Sequence, residues 1–182
     1  MEWIGGTVGL RAIEEDDLDV IAAYLSDPLM AGLRGVDGDR NGPMSRSDLR
    51  KRIEDWARPQ HGLALAVDRG EVMVGHVRID LWWDALCPHL DIVVAPDHRR
   101  RGYGSEAGRI LLKYVFTETI AHTAQMRTPD WNLAGIEFAR TLGFLEAGSA
   151  RRTGVRDGAY HDDIFFDQLR IEWEERHRAD SR

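Results

Sequence analysis

The stretch richest in chemistry is Ile92-Val93-Val94-Ala95-Pro96-Asp97-His98-Arg99-Arg100-Arg101-Gly102-Tyr103-Gly104-Ser105-Glu106-Ala107. It is an apolar run, a basic turn, two glycines and the start of an amphipathic segment. In this order these residues make an anion trap. Glycine lets a backbone approach a phosphate closely. The free N–H groups of a helix N-terminus point at such a group, and successive loop amides can form a nest around it. Arg99, Arg100 and Arg101 add charge-assisted donors whose planar guanidinium suits phosphate geometry. Just upstream, His89 and Asp91 are two apart on an apolar strand, so they share a face. Both can take a proton from a reacting group. Trp82 and Trp83 precede them and can line a pocket or cover the sheet.

Other uses of the same residues fit less well. Gly102-x-Gly104-x-x-Ala107 formally matches a dinucleotide fingerprint, but that motif belongs directly after a strand, with an acidic residue ~20 positions on at the end of the next strand. Here Pro96 to Gly102 intervene, and Glu118 lies before the next strand. A nucleic-acid patch is disfavoured by the formal net charge of −7, because such a footprint is usually basic. The acidic balance suits a cationic or amine-bearing partner, or solubility alone.

The elements that must position these groups follow from periodicity. Thr7–Ile13 alternates and reads as a strand. Glu14–Leu25 reads as a helix, with acids in its first turn and Leu18, Ile21, Ala22 and Leu25 on one stripe. Asp27–Met44 reads as a surface loop rich in Gly, Asp and Pro. A second helix covers Ser45–Ala57. Strands at Gly62–Val67 and Val72–Leu81 flank the turn Asp68–Glu71. His89–Val94 is a third strand, stopped by Pro96. Gly104–Phe116 is the clearest helix, with Ala107, Ile110, Leu111, Tyr114 and Val115 on its apolar stripe. A strand at Ile120–Arg127, a helix at Asn132–Leu142 and a strand at Phe144–Arg151 come next. A turn at Arg152–Gly158 and a strand at Ala159–Phe166 complete the order, and the charged tail after Trp173 is expected to fray. The order β-α-α-β-β-β-α-β-α-β-β implies an α/β fold with a mixed, mostly antiparallel central sheet and helices on both faces.

The bulk numbers agree with one soluble domain over residues 1–182. The chain has 182 residues, 43% hydrophobic and 30% charged, which suffices for one core. No run approaches the ~20 apolar residues of a membrane span. The opening residues show no secretory pattern. The single cysteine, Cys87, excludes an internal disulfide and suggests a reducing cytoplasm.

Two motifs together identify a family. Arg99-x-x-Gly102-x-Gly104 after a strand ending in Val94 resembles the pyrophosphate loop of the GNAT N-acetyltransferase superfamily, Gln/Arg-x-x-Gly-x-Gly/Ala. Asn132-Leu133-Ala134-Gly135-Ile136-Glu137-Phe138-Ala139-Arg140-Thr141-Leu142-Gly143-Phe144 resembles that family's second cofactor segment, in which an Asn opens a helix ending in Leu-Gly-Phe. Leu10-Arg11-Ala12 before an acidic helix, and Asp162-Asp163-Ile164-Phe165-Phe166 with Glu172-Trp173, resemble the branch that includes ribosomal-protein N-terminal acetyltransferases.

The resemblance implies acetyl-CoA as donor and an amine-bearing acceptor, either a protein N-terminus or a small molecule. The acidic balance and the lack of a long apolar run speak against nucleic-acid and membrane partners; no metal is expected, and a homodimer is allowed. In such a fold the third central strand splays from its neighbour, and backbone groups of Ile92, Val93 and Val94 pair with pantetheine in the gap. The N–H groups from Arg100 through Gly102, Tyr103 and Gly104 to Ser105 hold the pyrophosphate, supported by Arg99, Arg100 and Arg101. Asn132 bonds the pantetheine arm, caps its helix, or does both. Phe138 packs on the cofactor or in the core. The N–H near Ile92 serves the oxyanion, and Asp91 is the candidate base unless it is an ordinary strand carboxylate. The chain departs from the family twice. Ala139 stands where many members carry a tyrosine acid, and Gly135 where the N-terminal branch often has Ser. These departures admit an alternative reading, a catalytically impaired acyl-CoA-binding sensor or interaction module.

Overall fold

The computed structural model describes residues 3–25, 45–56, 58, 62–81 and 84–180. Its elements run β1 (Gly9–Arg11), α1 (Asp17–Leu25), α2 (Arg46–Trp56), β2 (Gly62–Arg69), β3 (Val72–Asp80), β4 (His89–Val94), α3 (Tyr103–Glu118), β5 (Thr123–Pro129), α4 (Leu133–Leu142), β6 (Leu145–Arg156), β7 (Ala159–Leu169) and α5 (Arg170–Asp180). The expected element order holds, and α5 is added at its end. The seven strands form one sheet in the order β1-β2-β3-β4-β5-β7-β6. Every neighbouring pair is antiparallel except β4 and β5, which run parallel. The sheet is thus mixed and mostly antiparallel, as expected. The reading of Asp27–Met44 as a loop, and of Trp82 and Trp83 as pocket or cover, falls on positions outside the described residues.

Strand alternation divides the side chains between two cores. Leu90 of β4, Met126 of β5 and Phe166 of β7 join Ala107, Leu111 and Val115 of α3 and Ala139 and Leu142 of α4. On the other face Ala66 of β2 and Val93 of β4 meet Leu18, Ile21 and Tyr24 of α1 and Leu49 of α2. At the start of α1 the Arg11 guanidinium grips Asp17 with two bonds of 2.7 and 2.8 Å. That contact, opposed by burial, holds the Asp17 carboxyl below its usual range.

Several boundaries shift by two or three residues, as β1 to Gly9–Arg11, the start of α1 to Asp17 and β5 to Thr123–Pro129, and two expectations toward the C-terminus change more. After Trp173 the chain stays helical to Asp180, because α5 is docked. Trp173 packs against Phe116 of α3 at 5.7 Å, and Arg176 donates to the Leu142 carbonyl at 3.1 Å. Arg170 also ties the start of α5 to the Thr119 and Ala121 carbonyls. Part of the charge density that suggested fraying is thus used in docking, through Arg170 and Arg176. The turn at Arg152–Gly158 shrinks to Asp157-Gly158, whose φ values of 52° and 78° are those of a two-residue hairpin connection. β6 therefore continues through the arginines to Arg156, with register shifts between Ala150 and Gly154.

Candidate active site

β4 pairs with β3 along its whole length, from Gly75↔Val94 to Asp80↔His89. With β5 it shares a single registered pair, His89↔Gln125, held by the Gln125 N–H on the Pro88 carbonyl at 2.9 Å. Beyond that point the strands part and leave a wedge that opens toward the C-terminal ends of both. This is the splayed gap expected next to the third central strand.

The register decides which backbone groups face the wedge. The Ala95 N–H donates to the Val74 carbonyl at 2.9 Å, which makes Ala95 and Val74 a hydrogen-bonded antiparallel pair. Alternation then makes Val93/His76 and Asp91/Arg78 bonded pairs too, and turns the peptide groups of Leu90, Ile92 and Val94 away from β3. Ile92 and Val94 thus present backbone to the wedge. Val93 does not: its N–H and C=O are directed at β3, and its side chain is buried against α1 and α2. The expected backbone role of Val93 is corrected on that ground.

A short 3-10 turn, Pro96–His98, ends β4, and the chain enters α3 through two left-handed residues, Arg100 (φ 61°) and Gly102 (φ 83°). Such positive φ values suit glycine at Gly102, where an added Cβ meets nothing within 4 Å. Gly102 is the N-cap of α3, and no side chain among the described residues caps that helix. The first-turn N–H groups of Tyr103, Gly104 and Ser105 therefore have no side-chain acceptor from the cap and point out of the helix start, as an anion site requires. Arg100 and Arg101 are exposed beside it. Tyr103 is buried, with Arg69 over its ring at 5.9 Å, so it offers only its backbone. Gly104 has a second reason to be small. A Cβ there would lie 3.1 Å from Val94 Cγ2 and 3.4 Å from the Phe138 ring. Its bare Cα lets α3 pack on β4 and α4, and this places Phe138 beside both the loop and the wedge.

Across the wedge, Asn132 caps α4. Its Oδ1 accepts from the Gly135 N–H at 3.1 Å and its Nδ2 donates to Thr128 Oγ1 at 2.7 Å. The second Nδ2 proton is left for another acceptor. Gly135 is explained by the same contact, because a Cβ would crowd Asn132 Nδ2 and sit 2.7 Å from Thr128 Oγ1. Ala139 is 1% exposed; that position faces the core, so no acid comes from it.

The face of β4 that looks toward α1 and α2 carries the ionisable groups. Asp91 lies opposite Arg78, 3.9 Å from its guanidinium, with its side chain 42% exposed. Arg78 also reaches Asp80 at 3.5 Å and stacks over Trp56 at 5.2 Å. His89 sits at the apex of the wedge. Burial lowers its pKa, with Asp91 pulling the other way, so the ring is neutral near pH 7. Sequence reasoning missed Arg78 and Trp56, since only the register places them beside Asp91. Cys87 has its thiol pushed up by burial, which keeps it protonated and unreactive.

The chain as a whole is similar to known proteins. Residues 7–145 match the family model described as Acetyltransferase (GNAT) domain. The chain is 26% identical over 181 residues to the SPbeta prophage-derived uncharacterized N-acetyltransferase YokL of Bacillus subtilis (strain 168), covering 96% of this chain and 97% of that one. Spermidine N-acetyltransferase from Vibrio cholerae, solved with CoA and spermine, superposes with a TM-score of 0.81 at 19% identity, covering 93% of this chain and 99% of that one. RimL, the ribosomal L7/L12 α-N-protein acetyltransferase solved with CoA, superposes with a TM-score of 0.77 at 14% identity, covering 91% and 96%.

Proposed function

Since the chain belongs to the GNAT acetyltransferase family and is an N-acetyltransferase, we propose that it moves an acetyl group from acetyl-CoA to a primary amine. The α-amine of a protein or peptide, or a small amine, is the preferred acceptor. The observation that carries this reading is the wedge. One pair joins β4 to β5, two wall residues turn their backbone into the gap, and the gap leads to a helix start with no side-chain cap.

The residues present fit the cofactor. The nest at Arg100 and Gly102 and the first turn of α3 suit a pyrophosphate, with Arg100 and Arg101 in reach of solvent-borne phosphate charge. The Ile92 carbonyl and the Val94 N–H supply a strand-like acceptor and donor for an amide-bearing arm, and the spare Asn132 proton supplies one more. When bound, acetyl-CoA supplies an activated acetyl thioester. The chain does the rest. The Ile92 N–H faces the wedge and is the donor for charge developing on the carbonyl oxygen. Asp91, on the face of β4 that looks toward α1 and α2, accepts the proton that the amine sheds as its nitrogen bonds the acetyl carbon. No general acid is required of Ala139 or Gly135. A thiol with pKa near ~8.5 leaves as thiolate at a cost of only about 2 kcal/mol at neutral pH.

The preference for an α-amine over a lysine side chain rests on the same arithmetic. A lysine amine near pKa ~10.4 needs about 4.6 kcal/mol to be neutral at pH 7, against about 1 kcal/mol for an α-amine near ~7.8. A site whose carboxylate is already engaged by Arg78 suits the easier acceptor. The resemblance to the N-terminal acetyltransferase branch points the same way. The test of the donor site is thermal: acetyl-CoA should raise the melting temperature in a concentration-dependent way, and no shift at saturating cofactor would refute the assignment.

A further inference from the structure

Arg99 differs from the two arginines after it. Arg100 and Arg101 are exposed, whereas Arg99 is half-buried, and its Nε donates to the Val94 carbonyl at 3.1 Å. The register explains why that carbonyl needs a donor. The peptide groups of Val94 face the wedge, β3 is on the other side, and β5 has already diverged. A strand carbonyl left facing a gap is costly unless something donates to it. The Arg99 backbone N–H meanwhile donates to the Pro96 carbonyl at 3.3 Å. One residue therefore clamps the 94–99 turn twice, with its main chain and with its side chain. The clamp sits directly before Arg100, whose positive φ of 61° is a conformation that persists only where the surroundings impose it.

We infer that Arg99 is a positioning residue: by tying the last wedge-facing carbonyl of β4 to the loop, it holds the nest and the first turn of α3 in register with the wedge, and it acts through this hydrogen bond rather than through its charge. The inference rests on the acetyl-CoA reading of the same site. It separates Arg99 from Arg100 and Arg101, whose exposed guanidiniums act on phosphate by charge.

The two roles separate with an uncharged donor and a phosphate-free substrate. Arg99→Gln keeps an N–H donor on a side chain of similar reach, and Arg99→Met keeps the length without a donor. Hydrogen exchange of residues 95–105 in the ligand-free proteins should be faster in Arg99→Met and near normal in Arg99→Gln. CoA affinity by calorimetry should fall about tenfold in Arg99→Met, typical of one lost hydrogen bond, and less than about threefold in Arg99→Gln. Turnover of S-acetylpantetheine, which carries no phosphate, should show the same ranking. Equal losses in both variants, confined to CoA and absent with S-acetylpantetheine, with unchanged exchange, would overturn the inference and make Arg99 a phosphate ligand. Failure of the unmodified protein to bind CoA would instead sink the cofactor reading, an outcome distinct from any ranking of the variants.

Discussion

Replacing Asn132 separates its two duties. In Asn132→Ala, α4 loses its cap from Oδ1 to the Gly135 N–H and the tie from Nδ2 to Thr128. An N-cap is worth about 1 kcal/mol and a second net hydrogen bond about 1 kcal/mol. The sum of about 2 kcal/mol lowers the melting temperature of a chain this size by roughly 4–8 °C. Asn132→Asp behaves differently. Aspartate caps as well as asparagine, and the Thr128 hydroxyl can turn to donate to it, so stability should stay within about 0.5 kcal/mol. Both variants lack the amide donor for the pantetheine arm. Both should therefore bind CoA about 5–30-fold more weakly, the equivalent of 1–2 kcal/mol. Denaturant titration without ligand gives the stability, and calorimetry below the transition gives affinity per folded molecule. CoA affinity unchanged in both variants would leave Asn132 as a cap alone and refute its place in the cofactor site.

Three further outcomes follow from the same geometry. Gly102→Ala puts a Cβ into open space but at φ 83°, so it should cost about 1–2 kcal/mol of backbone strain and weaken CoA binding more than it slows turnover at saturation, read from kcat and KM together. Trp173→Ala removes the contact that docks α5 on Phe116 and should destabilise the fold by about 2–3 kcal/mol in denaturant titration, whereas a fraying tail would leave stability unchanged. His89 has its folded pKa lowered mainly by burial. Above about pH 6.5 both states carry a neutral ring; below it the unfolded chain takes a proton that the folded one refuses, so stability falls with pH. His89→Gln should flatten that acid limb, and an unchanged slope would refute the buried neutral ring.

The loop from Val94 to Gly104 was legible because each feature of it is local: an apolar run, a stop at Pro96, a basic turn and glycines before a periodic helix. Asn132 was legible for the same reason, as a cap three residues before its partner N–H. What escaped the sequence is set by pairing between distant segments. Whether Val93 or its neighbours face the wedge depends on which residues of β3 they bond, and no periodicity in β4 alone fixes that parity. Arg78 and Trp56 join the site only through the β3–β4 register and the packing of α2. Gly135 and Gly104 looked like a departure and a phosphate contact; each proves to be small because a side chain from another element occupies the space. α5 was hidden because its anchors, Trp173 on Phe116 and Arg170 and Arg176 on distant carbonyls, are tertiary contacts in a segment dense in charge.

The most direct test of the account is to follow where the acetyl group goes. Incubating the protein with acetyl-CoA and peptides that differ only in a blocked N-terminus or a Lys→Arg change, and locating the acetyl group by mass, reads donor, reaction and acceptor at once. The expected result is release of free CoA thiol with acetylation at the α-amine, lost when the N-terminus is blocked and kept when lysine is replaced. Acetylation confined to lysine side chains, with free α-amines untouched, would contradict it.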